Sequence, residues 1–259
     1  MKVDLHNHTL LCNHATGSVN EYVEAAIACG TEFFGFADHA PMHYDPSYRM
    51  RFDQIDLYES WIREASQQYH KQITVLLGYE VDYLPGYMDD LILHRSCDYL
   101  IGSVHFIDDW GFDNPEFIGR YAGMDIDDVY RRYFGLVEAM AESGKFDIVG
   151  HLDLLKVFKY LPTKDIRLLA KDALQAVKKA DMTIEINVSG YRKPIAEAYP
   201  SPLLLEEIAE FRIPITFSSD ADRSDQVGLY TAEAEAFARS AGYTECAVYL
   251  GRDRKMIKF

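Results

Sequence analysis

A chain of 259 residues, 48 % hydrophobic and 26 % charged, can bury the core of one large domain, and a single α/β barrel of about 250 residues fits that length. Its formal net charge of −15 disfavours a partner built on a phosphate backbone, which needs a basic face. No run approaches about 20 uninterrupted apolar residues, and "MKVDLHNH" goes straight into histidines without a basic-then-apolar leader, so the expectation is a cytoplasmic protein with no membrane and no nucleic-acid partner.

In chain order, short apolar runs at 2–6, 33–37, 73–79, 99–104, 147–150, 182–186 and 214–218 read as buried strands. Helical segments lie between them. In "SVNEYVEAAIACG" (18–30), Ser18 suits the N-cap, Glu21 completes a capping box and Gly30 closes the C-terminus. Segments 163–180 and 224–242 follow the same design. Continuous hydrophobicity in the strands predicts a parallel sheet covered on both faces, and the repeated βα order points to a barrel or a doubly wound sheet. No linker or internal repeat divides the chain, so one domain over 1–259 is expected. The longest irregular stretches, 40–52 and 107–124, both follow strands, where functional loops belong. The last residues, "AVYLGRDRKMIKF", read as a short strand or hairpin. Cys12, Cys29, Cys97 and Cys246 form no CxxC pair and read as isolated thiols; Cys12 differs only in lying between His8 and His14.

Chemistry appears at the strand ends. At or just after them stand His6 and His8, His39, Glu80, His105, His151, Asn187, and Asp220 with Asp222. A parallel barrel brings these ends to one face. In extended chain, residues i and i+2 share a side, so His6 with His8, and Asp220 with Asp222, can each serve one ion. His14 lies in the loop after the first strand, while His70 and His94 lie in polar helical stretches and read as ordinary surface histidines. Imidazoles and carboxylates without a thiolate pair suit Zn, Mn or Fe at an open, catalytic site. The candidate ligands outnumber what one ion can use, so two to three divalent metal ions are implied, a type of centre that typically drives hydrolysis.

The segments "DLHNHT", "FADHAP", "GYEVDY", "GSVHF", "GHLDLLK", "NVSGYRKP" and "SSDAD" together resemble the polymerase-and-histidinol-phosphatase (PHP) superfamily, most of all its monofunctional histidinol-phosphatase branch. The resemblance runs from Asp4 to about Asp225. It implies a distorted TIM-like (βα)7 barrel with a trinuclear centre. His6, His8, Glu80 and Asp220 would hold one metal, and Glu80 would bridge to a second held by His105 and His151. His14, His39 and Asp222 would hold the third. The family's usual Ser/Thr-Asp-x-His is "SDAD" here, and the harder oxygen of Asp222 favours Mn²⁺ or Fe²⁺ over Zn²⁺ at that position. The implied reaction is hydrolysis of L-histidinol phosphate, a small phosphorylated substrate, by a metal-bridging hydroxide.

Asp153, Arg192 and His43 are the catalytic candidates beside the metals. Arg192, Lys193 and Lys156 are candidates to hold the phosphate; His43, Tyr44, Trp110, Phe112 and Phe117 are candidates to wall the imidazole end. Asp38 and Asp153 suit acceptors that fix histidine tautomers, with donation of the leaving-group proton as the alternative role of Asp153. Rival readings are another phosphoesterase of this scaffold, acting on a small phosphomonoester, phosphotyrosine or a nucleic-acid 3′ end, and a non-catalytic metal-stabilised module. Oligomeric state carries no signal in the sequence.

Overall fold

The apolar runs become parallel strands. The computed structural model describes residues 1–259. Its strands are β1 (Val3–Asp4), β2 (Phe33–His39), β3 (Thr74–Asp82), β4 (Tyr99–Ser103), β5 (Phe106–Ile107), β6 (Trp110–Gly111), β7 (Ile148–Val149), β8 (Thr183–Asn187), β9 (Ile215–Ser218), β10 (Glu245–Leu250) and β11 (Asp253–Lys258). The α-helices are α1 (Val19–Ala28), α2 (Ile55–Tyr69), α3 (Asp90–Leu93), α4 (Ile126–Glu142), α5 (Ile166–Lys179), α6 (Pro202–Glu210) and α7 (Thr231–Ser240). One sheet runs β1-β2-β3-β4-β7-β8-β9 with every neighbour parallel. The Leu5 amide donates to the Phe217 carbonyl at 3.0 Å, and the Asp220 amide to that of His6 at 2.7 Å. The chain after β1 therefore lies along β9, and the sheet closes into a distorted (βα)7 barrel.

Tyr99 of β4 lies across the barrel and dictates two glycines. Its hydroxyl donates to the Leu5 carbonyl at 2.6 Å. A Cβ on Gly35 would stand 1.9 Å from that hydroxyl, and one on Gly78 would stand 2.3 Å from the ring. Any side chain on β2 or β3 at these points would displace the phenol.

Local signals set α1 as expected. The Ser18 side chain accepts from the Glu21 amide, Glu21 accepts from the Ser18 amide at 2.6 Å, and Gly30 follows with φ +76°. The helix expected over 224–242 is shorter. A 3-10 turn at Ser224–Gln226 leads to Gly228 and Tyr230, both at left-handed φ, and α7 begins only at Thr231. A Cβ on Gly228 would stand 2.4 Å from Cys29 Sγ, so the break lets this turn press on the end of α1. Stretch 107–124 is more ordered than its composition suggests, holding the rest of the β5–β6 hairpin and a 3-10 run at Pro115–Tyr121.

The β10–β11 hairpin covers the opposite end of the barrel. Thr216 Oγ1 donates to the Ala247 carbonyl at 2.9 Å, Thr183 Oγ1 meets the Tyr249 hydroxyl at 2.6 Å, and Arg252 pairs with Asp147 just before β7. Strand N-termini are thus plugged, and the C-terminal face is left for chemistry. No helix is long and apolar enough to cross a membrane.

Candidate metal centre and its cavity

Where each apolar run stops, the strand delivers a polar side chain to the open face. His6 and His8 follow β1 and are buried; His39 ends β2; Glu80 and Asp82 alternate on β3; His105 follows β4; His151 follows β7; Asp220 follows β9. Sheet register sets His39 directly beside Glu80. Asp220 takes a left-handed φ of +48°. Its Oδ1 meets His8 Nε2 at 2.9 Å, and its Oδ2 accepts from Asn187 Nδ2 and Ser189 Oγ, both at 3.0 Å. Asn187, one of the strand-end residues, therefore orients Asp220 and does not itself face an imidazole.

Glu80 occupies the middle. Its Oε2 lies 2.9 Å from His39 Nδ1 and 3.3 Å from His6 Nε2; its Oε1 lies 2.9 Å from His151 Nε2 and 3.6 Å from His105 Nε2. Two ligands of one ion, each about 2.1 Å from it, stand about 3.0 to 3.4 Å apart. The spacing here matches. His6 Nε2 and Glu80 Oε2 face each other in the interior, yet neither has a hydrogen-bond partner. A cation ligated by both would satisfy both. Ligand atoms fall within 4.8 Å of one another in three groups: His6, His8 and Glu80; Glu80, His105 and His151; and His8, Cys12 and His14. His39 stacks on His8 at 4.6 Å, and His14 Nε2 lies 3.4 Å from Asp222 Oδ1. The donor set fits divalent metal ions. Cys12 is buried, and its thiol donates to the Thr9 carbonyl at 3.1 Å.

Electrostatics follow from this crowding. Burial alone lowers an imidazole's pKa, but it is overcome at His6 by the charges of Glu185, Glu80 and Asp220. Against the same burial, hydrogen bonds to Asp220 and Asp38 hold His8 up to about 10, and the charges of Asp82 and Glu80 hold His105 up to about 10. At His39 burial wins, and the pKa falls below its ordinary value. Glu80 and Asp220 stay well below the carboxylate range despite burial, because imidazoles surround them. The carboxylates thus favour positive charge at His6, His8 and His105, where a cation would sit.

Further carboxylates fix the rings from behind. His6 Nδ1 bonds to Glu185 Oε2 at 3.1 Å, His8 Nδ1 to Asp38 Oδ1 at 3.4 Å, and His105 Nδ1 to Asp82 Oδ1. Each bond leaves Nε2 turned towards the centre. Buried Arg49 in turn donates to Asp82 Oδ2 at 2.7 Å. Of these anchors Asp38 is expected from the sequence, whereas Glu185, Asp82 and Arg49 emerge only in the structure. The signal for Asp82 is its place two residues after Glu80 on the same strand face, and for Glu185 its standing as the lone charge in "MTIEI". Arg49 carries no local signal.

The centre opens into a cavity of about 690 Å³. Loop 40–52 contributes Tyr44, Asp45, Tyr48 and Arg49; loop 107–124 contributes Asp109, Gly111, Asp113, Asn114, Pro115 and Phe117; Lys193 and Asp222 also line it. The Tyr44 hydroxyl donates to the Asp109 carbonyl at 3.1 Å and ties the two loops together.

Several candidates stand elsewhere. Asp153 does not touch an imidazole: at φ +66° its Oδ2 accepts from the Ser201 amide at 3.0 Å, and burial pushes its pKa up to about 6 despite Lys156. Lys156 is neither a solvated helix residue nor a free cation, because its buried Nζ donates to Glu197 Oε1 at 2.6 Å and to the Ala198 carbonyl at 2.7 Å. Arg192 donates to the carbonyls of Ser219 and Asp220 at 2.9 and 2.7 Å, holding the turn that presents Asp220. His43 is exposed, stacked on Phe52 at 4.6 Å. Trp110 is buried edge-on against Tyr121, and Phe112 is buried against Tyr133; both pin the second loop from beneath and do not line the cavity.

The family model of the PHP domain matches residues 4–189. A protein named "Probable histidinol-phosphatase" in Deinococcus radiodurans is 41 % identical over 244 residues, spanning 92 % of this chain and 93 % of that protein. The histidinol-phosphatase of Bacillus subtilis is 29 % identical over 90 % of this chain and 97 % of its own length. Among solved structures, histidinol phosphate phosphatase from Lactococcus lactis, complexed with Zn, L-histidinol and phosphate, superposes with a TM-score of 0.79 at 19 % identity, covering 98 % of each chain.

Proposed function

The chain belongs to the PHP domain family, and we propose that it hydrolyses L-histidinol phosphate to L-histidinol and phosphate. The observation that carries this reading is Glu80, with imidazoles within 3.6 Å of both of its oxygens, beneath a cavity of the size that takes a small molecule. Likeness along nearly the full length of proteins named histidinol-phosphatase supports the substrate. Two to three ions of Zn, Mn or Fe are proposed, one held by His6, His8, Glu80 and Asp220, a second by Glu80, His105 and His151, and a third by His14, His39 and Asp222. Asp222 biases the third towards Mn²⁺ or Fe²⁺. Bound ions would supply Lewis acidity towards the phosphoryl oxygens and activate water near neutral pH.

The chain's own residues do the rest. Glu185, Asp38 and Asp82 hold His6, His8 and His105 in the tautomer that presents Nε2. Arg49 keeps Asp82 charged and in place. Lys193, at the cavity wall, offers a cation to the phosphate, and Tyr44 with Phe117 offers apolar surface to the imidazole. The whole chain acts as one domain in this reading. An excess of carboxylates along the cavity disfavours a nucleic-acid substrate.

The test is a steady-state assay of purified protein on histidinol phosphate, phosphotyrosine and a single-stranded oligonucleotide, with metal content measured on the same sample. Highest kcat/KM on histidinol phosphate, with two or more equivalents of metal, is expected. Preference for another phosphomonoester would overturn the substrate and leave the reaction class standing.

A further inference from the structure

We infer that Asp113 selects the substrate by pairing with its ammonium group. This rests on the phosphatase reading above and deepens it. L-Histidinol phosphate is charged at both ends of a short chain: a phosphate dianion, and a protonated amine on the carbon next to the phosphorylated one. Holding the phosphoryl group at the imidazole–carboxylate centre draws the amine into the cavity, where an unpaired ammonium is costly. A carboxylate within reach removes that cost and discriminates against phosphomonoesters that lack the amine.

Most carboxylates along the cavity are already engaged. Glu80 and Asp220 face imidazoles, Asp222 faces His14, Asp82 is bound to Arg49 at 2.7 Å, and Asp109 to Arg120 at 3.0 Å. Asp45 and Asp113 remain, each lining the cavity without a side-chain ion pair, although the charge of Asp113 acts on the nearby His105. Both are half-buried; Asp45 lies in loop 40–52, where its own backbone carbonyl accepts from Arg49 Nε at 2.7 Å and sets a guanidinium beside it. Asp113 grows out of a buried segment. The Phe112 amide donates to the His105 carbonyl at 3.2 Å, and the Asn114 amide to the Gly111 carbonyl at 3.3 Å. The backbone on both sides of Asp113 is therefore tied down beside His105. With the Phe112 ring taken up by the core against Tyr133, Asp113 is left at the cavity with Phe106 and Phe117. Such a carboxylate is preorganised, and its apolar neighbours strengthen a charge-assisted hydrogen bond.

The experiment uses the metal-loaded protein and the variants Asp113→Asn and Asp113→Glu. The readouts are KM and kcat on L-histidinol phosphate and on its deaminated analogue, together with inhibition by L-histidinol and by inorganic phosphate. Asp113→Asn should raise KM for histidinol phosphate roughly 10- to 100-fold and weaken L-histidinol inhibition to the same extent. Turnover of the deaminated analogue and inhibition by inorganic phosphate should remain as in the parent, and Asp113→Glu should recover part of the loss. Equal losses on both substrates, or unchanged L-histidinol inhibition, would overturn the role of Asp113. A parent protein that hydrolyses the deaminated analogue but not histidinol phosphate would instead overturn the substrate on which the role depends.

Discussion

Glu80 serves four imidazoles with two oxygens, so its negative charge is the least replaceable in the barrel. Glu80→Gln keeps the shape and removes the anion. Bound metal should fall by at least one equivalent, and turnover of histidinol phosphate by roughly a thousandfold, since the groups act as a unit. Metal analysis alongside kinetics checks this; full metal occupancy in the variant would contradict it. Asp82 works through His105. Asp82→Asn should cost roughly 10- to 100-fold in metal affinity, read by titration of metal-free protein. Arg49→Met leaves Asp82 buried without its guanidinium, a loss of about 3–5 kcal/mol in urea unfolding. The histidines and carboxylates that meet around Glu80 were legible because they stand at or just after the ends of apolar runs. Arg49 was not, because its importance comes from meeting Asp82, 33 positions away.

Among the elements, β2, β3 and β4 are locked by Tyr99. Gly78→Ala forces a methyl group into the phenol ring, and overpacking of this kind costs about 1–3 kcal/mol. Denaturant midpoints should show it, with activity at low temperature retained, because the clash lies within the barrel and away from the strand ends. An unchanged midpoint would mean that the ring has room to move. Helix α1 could be read from its capping box, an interaction within one turn. The true start of α7 could not, because Gly228 breaks the helical pattern through contact with Cys29, which belongs to the other end of the chain. The second loop was expected to offer Trp110 and Phe112 to a ligand. The β5–β6 hairpin turns both inward and leaves Phe117 and Asp113 outside.

Over the whole molecule, one end of the barrel collects buried carboxylates that need positive charge, and this sets the pH response. In the unfolded chain His8 and His105 titrate at about 6.5; in the fold both are held up to about 10. A raised pKa means that the folded state binds the proton more tightly. The stabilisation is therefore fully present below about pH 6.5 and fades as pH rises through about 10. Chelator-treated protein should lose melting temperature across that window. Metal-loaded protein should resist the loss, because ions replace the protons and bind more tightly as the ligands deprotonate. Differential scanning calorimetry of both forms from about pH 6.5 to 10 tests this, and parallel profiles for the two forms would refute it.

The sequence by itself determined seven buried strands alternating with helices and the histidines and carboxylates at their ends; the family resemblance implied a barrel where the pattern alone also allowed a doubly wound sheet. The strand pattern follows from local periodicity, and its polar ends share one face because parallel strands finish together. Only the tertiary structure decided which charged residues remain free to act. Lys156 looks available in the sequence and is paired with Glu197, while one terminal nitrogen of Arg192 is taken by backbone carbonyls and the other has no partner from the chain. Asp113, unremarkable in the sequence, is left without a side-chain ion pair. Whether a charge is neutralised depends on neighbours brought from distant segments, and chain closure alone selects them.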